Sequence, residues 1–285
     1  MLHVIVQYYN DPNPERQAEI DACFQRNLSC PWVKEVHNLV EPDTVIPEWL
    51  VQHPKYVEQR VTKRLSYAQA IDYGNQKLAE KKICLMNADT FVDAESPWNE
   101  VLLIDSKIVL CQTRHELRSS GDLVMDPIYV ESWGRNTQDA WIWQSPISVP
   151  NSDFELGRLG CDNAIAHRFK SAGYLVVNRG TVLKIGHIDR CRGKTAAQTC
   201  QFHSQRETRE EFRPASEGWA FVPDIQLAPS LEELLAHVKL SPLHNYLMAS
   251  ELVCDLWDPE PEVLGRSRPK PEKSLTDGGA IQPSY

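Results

Sequence analysis

The chain has 285 residues and a formal net charge of −9. That length suffices for one main core, and the acidic balance argues against a nucleic-acid partner, because phosphate-reading surfaces are basic. No apolar run reaches the length of a membrane span, Met1 to Val6 reads as a strand rather than a leader, and the eight cysteines have no repeating spacing, so a cytoplasmic protein with reduced thiols is expected.

His3 to Tyr9 is a short run rich in β-formers, and Asn13-Pro14 then supplies an N-cap followed by proline at the first helical position. Ile20, Cys23, Phe24 and Leu28 recur at helical spacing, and Val33 to Val40 restores a strand, which predicts a β-α-β unit with parallel pairing. Ser66 and Gln69 form a capping box ahead of Tyr67, Ala70, Ile71, Gly74 and Leu78, which share one helical face. A further strand, Ile83 to Met86, runs into Asn87-Ala88-Asp89. Lys107 to Cys111 is a fourth strand, ending in polar Gln112-Thr113-Arg114. Strands alternating with helices predict an α/β sheet.

The middle of the chain gathers Trp133, Trp141 and Trp143 around Gln138-Asp139-Ala140. Trp141 and Trp143, two apart in a strand, should face the same way. Asp162 opens a helix through Ile165, Ala166 and Phe169 that stops at Gly173. Tyr174 to Val177 and Thr181 to Ile185 read as two strands joined at Arg179-Gly180, with His187 following the second. Ser230 and Glu233 cap a helix carrying Leu231, Leu234, Leu235 and Val238, and another helix is expected over Tyr246 to Trp257. From Asp258 the chain is rich in Pro, Lys and Glu, which predicts a disordered tail. The expected organisation is a main domain over 1–190, divided into halves at 1–111 and 112–190, a helical extension over 191–257 and a tail over 258–285. The C-terminal helices are apolar enough to dock a second copy or another chain.

An amide and a carboxylate at the open end of a buried strand suit a divalent cation held on a phosphate. Mg²⁺ and Mn²⁺ take one or two protein carboxylates and fill their other positions with water and phosphate oxygens. Ligands of open α/β sheets also collect beyond the carboxyl ends of the strands. The segment Ile83 to Asp89 resembles the short acidic motif of GT-A glycosyltransferases, in which the last aspartate binds the metal under a nucleotide-sugar pyrophosphate. The resemblance covers roughly the first two-thirds of the chain and implies a Rossmann-like mixed sheet flanked by helices, here with a C-terminal helical extension.

The same resemblance assigns roles to other residues in the same chain order. Gln7, Tyr8, Tyr9 and Asn10, at the end of the first strand, would hold the base and ribose, and Arg64 in Arg64-Leu65-Ser66-Tyr67 would contact the nucleotide. His187 in Leu183-Lys184-Ile185-Gly186-His187 would complete the metal site with Asp89, and an imidazole suits Mn²⁺ better than Mg²⁺. Asn87 departs from the acidic residue often found first in the motif; with Ala88 it would line the donor site, its amide meeting a ribose hydroxyl or a metal-bound water. Asp93 is an extra ligand or the cap of the Ser96-Pro97 turn.

If the enzyme inverts, it needs a base for the acceptor hydroxyl. Asp162 in Leu159-Gly160-Cys161-Asp162-Asn163 resembles that group, with a plain helix N-cap as the alternative. Asp139 competes, as base or as holder of donor-sugar hydroxyls. Trp141 and Trp143 offer a platform for an acceptor sugar ring or belong to the core. Arg190, Arg192 and Lys194 form either a flap over a diphosphate or a solvated loop. His187, Cys191, Cys200 and His203 are four zinc-type ligands, yet their spacing fits no compact finger.

These readings predict a metal-dependent hexosyl- or pentosyltransferase using Mn²⁺ or Mg²⁺ and a UDP-sugar, with a glycan or other hydroxyl acceptor. Two alternatives stand beside it. A sugar-phosphate nucleotidyltransferase would want a glycine-rich, lysine-bearing loop after the first strand, and none is present. A non-catalytic module that binds a sugar nucleotide or a partner is encouraged by the neutral Asn87.

Overall fold

Five consecutive buried residues, Leu2–Val6, form β1, which has parallel partners on both edges. A strand covered on both faces needs apolar side chains pointing both ways, and this segment is apolar at every position except His3. The structure is a computed structural model and describes residues 1–125, 138–158 and 161–191. Trp133, Leu159, Gly160, Arg192, Lys194, Cys200, His203, the expected C-terminal helices and the tail lie outside the described residues.

Asn13 caps α1, Pro14–Ser29, by accepting the Glu15 N–H. β2, Val33–Val40, α2, Glu48–Val51, and β3, Tyr56–Arg60, follow. The Ser66/Gln69 capping box is present in both directions at the start of α3, Tyr67–Lys77. β4, Lys82–Met86, and β5, Thr90–Val92, flank the acidic turn. β6, Ile108–Gln112, passes into β7, Arg114–Leu117, with Thr113 alone between them, and β8 is Leu123–Val124. β9, Ala140–Gln144, α4, Cys161–Ser171, β10, Leu175–Val177, and β11, Ile185–His187, complete the described elements.

A seven-stranded sheet has the order β10-β6-β9-β4-β1-β2-β3, with β9 antiparallel to both neighbours and the other pairings parallel. α1 covers one face through Ile20, Phe24 and Leu28. α3 and α4 cover the other through Tyr67, Ala70, Ile71, Ile165 and Phe169. A four-stranded sheet of order β5-β11-β7-β8 stands beside the first. The architecture is a mixed α/β sheet flanked by helices, as the alternation of elements predicts.

The departures from expectation have local causes. The run expected to continue to Tyr9 stops at Val6, because Gln7 and Tyr8 bond through side-chain contacts instead of the ladder. The two late strands do not form a joined pair: β10 lies at the edge of the large sheet, whereas β11 pairs with β5 and β7 in the small one. Residues between them fold into a turn in which Val182 and Leu183 donate to the Arg179 carbonyl, so the strand begins only at Ile185 and includes His187. Gln112-Thr113-Arg114 does not end the strand run; there the chain crosses from the large sheet to the small one.

Trp141 and Trp143 face the same side, as their spacing predicts, but neither is a platform for an acceptor sugar. Both are fully buried. β9 sits between β4 and β6 under α3 and α4, so Trp141 packs edge-on against Tyr67 at 5.0 Å and Trp143 lies 6.3 Å from Phe169. Trp143→Ala should therefore cost about 3–5 kcal/mol in denaturant unfolding, the loss seen when a large aromatic leaves a packed core.

His115 of β7 is buried, and that burial, with Lys184 nearby, pushes its imidazole down to about 4. A folded-state value below the ordinary 6.5 means that His115 contributes nothing adverse above pH 6.5 and destabilises the fold as pH falls from there toward 4. Over that window His115→Gln should lose less stability than the unmodified protein, by on the order of 2 kcal/mol, read from urea midpoints at matched pH values.

Candidate functional site

β4 delivers Met86 to the carboxyl edge of the sheet, and the next residues turn sharply. The Asn87 carbonyl accepts the Thr90 N–H at 3.2 Å and the Thr90 hydroxyl at 2.7 Å, which closes the turn. The chain then enters β5, whose Thr90 stands opposite His187 of β11, and the Ile188 N–H donates to the Asp89 carbonyl at 3.0 Å. Glycine is required beside this histidine, since a Cβ on Gly186 would come within 2.2 Å of the Phe91 ring.

The pairing sets His187 Nε2 3.4 Å from Asp89 Oδ2. His187 Nδ1 lies 2.9 Å from Glu116 Oε2 of β7, the residue opposite it in the ladder. Glu116 Oε1 accepts from Arg114 Nε at 3.0 Å, and Arg114 Nη1 donates to Asp139 Oδ2 at 3.2 Å. Asp139 Oδ1 accepts the Asn87 amide at 2.6 Å. From α1, Arg16 donates to Asp89 Oδ2, to Glu19 Oε2 at 2.9 Å and to the Ile188 carbonyl at 3.0 Å. Arg16, Asp89, His187, Glu116, Arg114 and Asp139 thus form one continuous chain of alternating charge that returns to Asn87.

Electrostatics agrees with this alternation. Burial alone would pull the His187 imidazole down, but Asp89 and Glu116 outweigh it and push it up to about 9. Burial raises the Glu116 carboxyl, while His187 and Arg114 more than reverse that and hold it below its ordinary value. Glu19 is likewise held low against its own burial by Arg16 and by donors from Arg190 and Cys191.

The structure brings most of the sequence candidates to this edge. Asn87, Asp89, Asp139 and His187 are joined by the bonds above. Asp162, in the first turn of α4, accepts the N–H of Gln138 at 3.3 Å, next to Asp139. Exposed Arg64 donates to the carbonyls of Leu156 and Gly157, and a Cβ on Gly157, whose φ is +72°, would lie 3.0 Å from Arg64 Nη2 and 3.9 Å from Asn87 Oδ1. Ala88 is half-buried against the core. Gln7, just past β1, ties the Leu39 carbonyl to the Leu65 N–H at 2.9 Å each, and Tyr9 is exposed.

Other candidates are committed elsewhere. Tyr8 is a core residue: it is buried, its ring meets Phe24 edge-on and its hydroxyl donates to Asp21 at 2.6 Å, so it presents no nucleotide-binding face. Asn10 bonds the backbone of Val45 in both directions. Asp93 accepts from the Ser96 hydroxyl at 2.8 Å, the turn-capping role rather than a ligand. The Cys191 thiol contacts Glu19 at 3.2 Å, and the Arg190 guanidinium reaches the Arg118 carbonyl. Arg16, Arg114 and Glu116 escaped the sequence reading. Arg114 and Glu116, two apart in a strand, carry the one signal that places them on a common face.

No protein-family model matches the sequence, and no curated protein matches it. Many solved structures are similar in fold, among them the following three. S. aureus TarS residues 1–349, in complex with UDP-GlcNAc, has a TM-score of 0.46 and 14% identity over 75% of this chain and 65% of its own. The mannosyltransferase PcManGT from Pyrobaculum calidifontis, in complex with GDP-Man and Mn²⁺, has a TM-score of 0.48 and 13% identity over 91% of this chain and 88% of its own. GalNAc-T7 with UDP, GalNAc and Mn²⁺ has a TM-score of 0.45 and 13% identity over 75% of this chain and 48% of its own. All three were solved with a nucleotide or nucleotide sugar. This chain spans less than two-thirds of two of them, the TarS piece and GalNAc-T7.

Arg16 is 3% exposed, so removing it leaves the Asp89 carboxylate buried beside the remaining network. Arg16→Met should destabilise the fold by about 3–5 kcal/mol, the cost of breaking a buried pair from one side, measured by urea unfolding at pH 7.

Proposed function

We propose that this chain is a metal-dependent glycosyltransferase of GT-A type that moves a sugar from a nucleoside-diphosphate donor, UDP-linked, to a hydroxyl of a glycan acceptor. One observation carries the reading: an imidazole and a carboxylate meet at 3.4 Å beyond the carboxyl end of β4, with a second carboxylate behind the imidazole. A histidine that ligates metal through Nε2 normally donates its Nδ1–H to a carboxylate, which fixes tautomer and ring orientation. Glu116 stands in that position, so the residues present fit Mn²⁺ or Mg²⁺ held by Asp89 and His187. When bound, the cation would supply Lewis-acid stabilisation of the departing diphosphate.

The protein's own groups divide the remaining work. Arg16 and Glu116 hold Asp89 and His187 in place from either side. Asn87 would meet a donor ribose hydroxyl or assist the cation, and Arg64, beside it across Gly157, would face the nucleotide. Gln7 and Tyr9 border the base and ribose. Asp139 has one oxygen on Asn87 and the other on Arg114, which suits a fixed anchor for donor-sugar hydroxyls. Asp162, at the first turn of α4 beside Gln138, takes the acceptor proton as general base. Among the described residues no helix is long and apolar enough to cross a membrane, and a cytosolic site of action is part of this proposal.

Thermal stabilisation by nucleotide sugars tests the donor site, because a ligand of the folded state alone raises its stability with occupancy. A UDP-sugar with Mn²⁺ should raise Tm, and either a chelator or Asp89→Asn should remove the shift together with transfer. Near-normal turnover in Asp89→Asn would overturn the assignment. Glu116→Gln should weaken Mn²⁺ by about 10–100-fold in a titration of activity against metal. Asp162→Asn should lower kcat by about 10²-fold or more while leaving the donor-induced Tm shift in place.

A further inference from the structure

A second cluster of ligating atoms lies on the α3 face of the large sheet. His3 of β1 shares its face with Ile5, and Glu35 and His37 of β2 share theirs with Leu39, all directed toward the layer under α3. His3 Nδ1 is 3.2 Å from His37 Nε2, His3 Nδ1 is 3.1 Å from Glu35 Oε2, and His37 Nε2 is 3.3 Å from the same oxygen. The three atoms form a nearly equilateral triangle.

We propose that His3, Glu35 and His37 bind a zinc ion, separate from the cation of the donor site. Zn–N and Zn–O bonds of about 2.0–2.1 Å at the tetrahedral angle put neighbouring ligand atoms about 3.3 Å apart, which is the spacing these three atoms already have. Two neutral imidazoles bring at most two protons to three mutual contacts, whereas one dication satisfies all three at once. Two imidazoles with one carboxylate suit zinc better than Mg²⁺ or Ca²⁺, which prefer oxygen.

The surroundings complete the site. Tyr73 of α3 has its hydroxyl 3.0 Å from His37 Nδ1, the outer partner that points Nε2 into the cluster. Glu35 keeps 35% of its side chain exposed, which gives the ion a path in and a water as fourth ligand. Lys81 acts on His3 and opposes a cation, while Glu35 favours one. The bound ion would clip β1 to β2 toward the amino end of β1, away from Gln7 and the donor site.

The test is calorimetric titration of the full chain, stripped with chelator, with Zn²⁺ alone. Unmodified protein and Asp89→Asn should show the same tight component, weakened by more than about tenfold in Glu35→Gln and His37→Gln. Glu35 is only partly buried and glutamine is nearly its size, so Glu35→Gln keeps the fold even where replacing buried His37 does not. Co²⁺ in place of Zn²⁺ should give the strong visible absorption of a four-coordinate ion, absent in Glu35→Gln. A tight component that survives Glu35→Gln and His37→Gln, or no zinc binding by the unmodified protein, overturns the proposal.

Discussion

The Asp89 carboxylate is the group on which the rest of the site depends. It is 8% exposed and takes positive partners from two directions, Arg16 of α1 and His187 of β11. A buried charge is tolerated only when paired and hydrogen-bonded, and here each partner is itself tied to a further carboxylate, Glu19 for one and Glu116 for the other. Removing any member strands its neighbours, so the chain of alternating sign acts as one unit.

That unit also joins the two sheets. Asp89 follows β4 of the large sheet, His187 and Glu116 belong to the small one, and Arg114 spans back to Asp139 just before β9. Backbone bonds prepare the same join: the Asp139 N–H donates to Gln112 and the Asn87 N–H to Asp139, which stitches β4, β9 and β6 together at one edge. Gly186 lets β11 approach Phe91, and only at that distance does the imidazole reach the carboxylate.

Much of the frame was legible in the sequence. Asn13-Pro14 and the Ser66/Gln69 box fixed two helix starts because capping is local chemistry, and the apolar runs of β1, β2, β4 and β6 marked the sheet. Asp89 and His187 were put together only by the resemblance of their two segments to the GT-A motifs; nothing in the spacing of the residues pairs them. What the sequence hid is non-local. Nothing in the residues around Arg16 says that its guanidinium ends beside Asp89, 73 positions away. Tyr8 and the two indoles looked available for ligands because burial depends on which helices cover a strand, and α3 and α4 cover β9. The break between β10 and β11 depends on β5 and β7, short strands with too little periodicity to detect.

The antiparallel strand β9 has a consequence for how the protein is made. It is wedged between two strands synthesised before it, and its Gln144 meets Lys82 across a separation of 62 residues. On the ribosome, β1, α1 and β2 are free to associate early, while Ile83, Leu85 and Cys111 wait with unfilled ladder positions until Trp141 and Trp143 emerge. Such edges invite pairing with other nascent chains. Proteostasis of this protein is therefore most exposed in the interval of translation that precedes β9, when a stalled chain offers sticky strands.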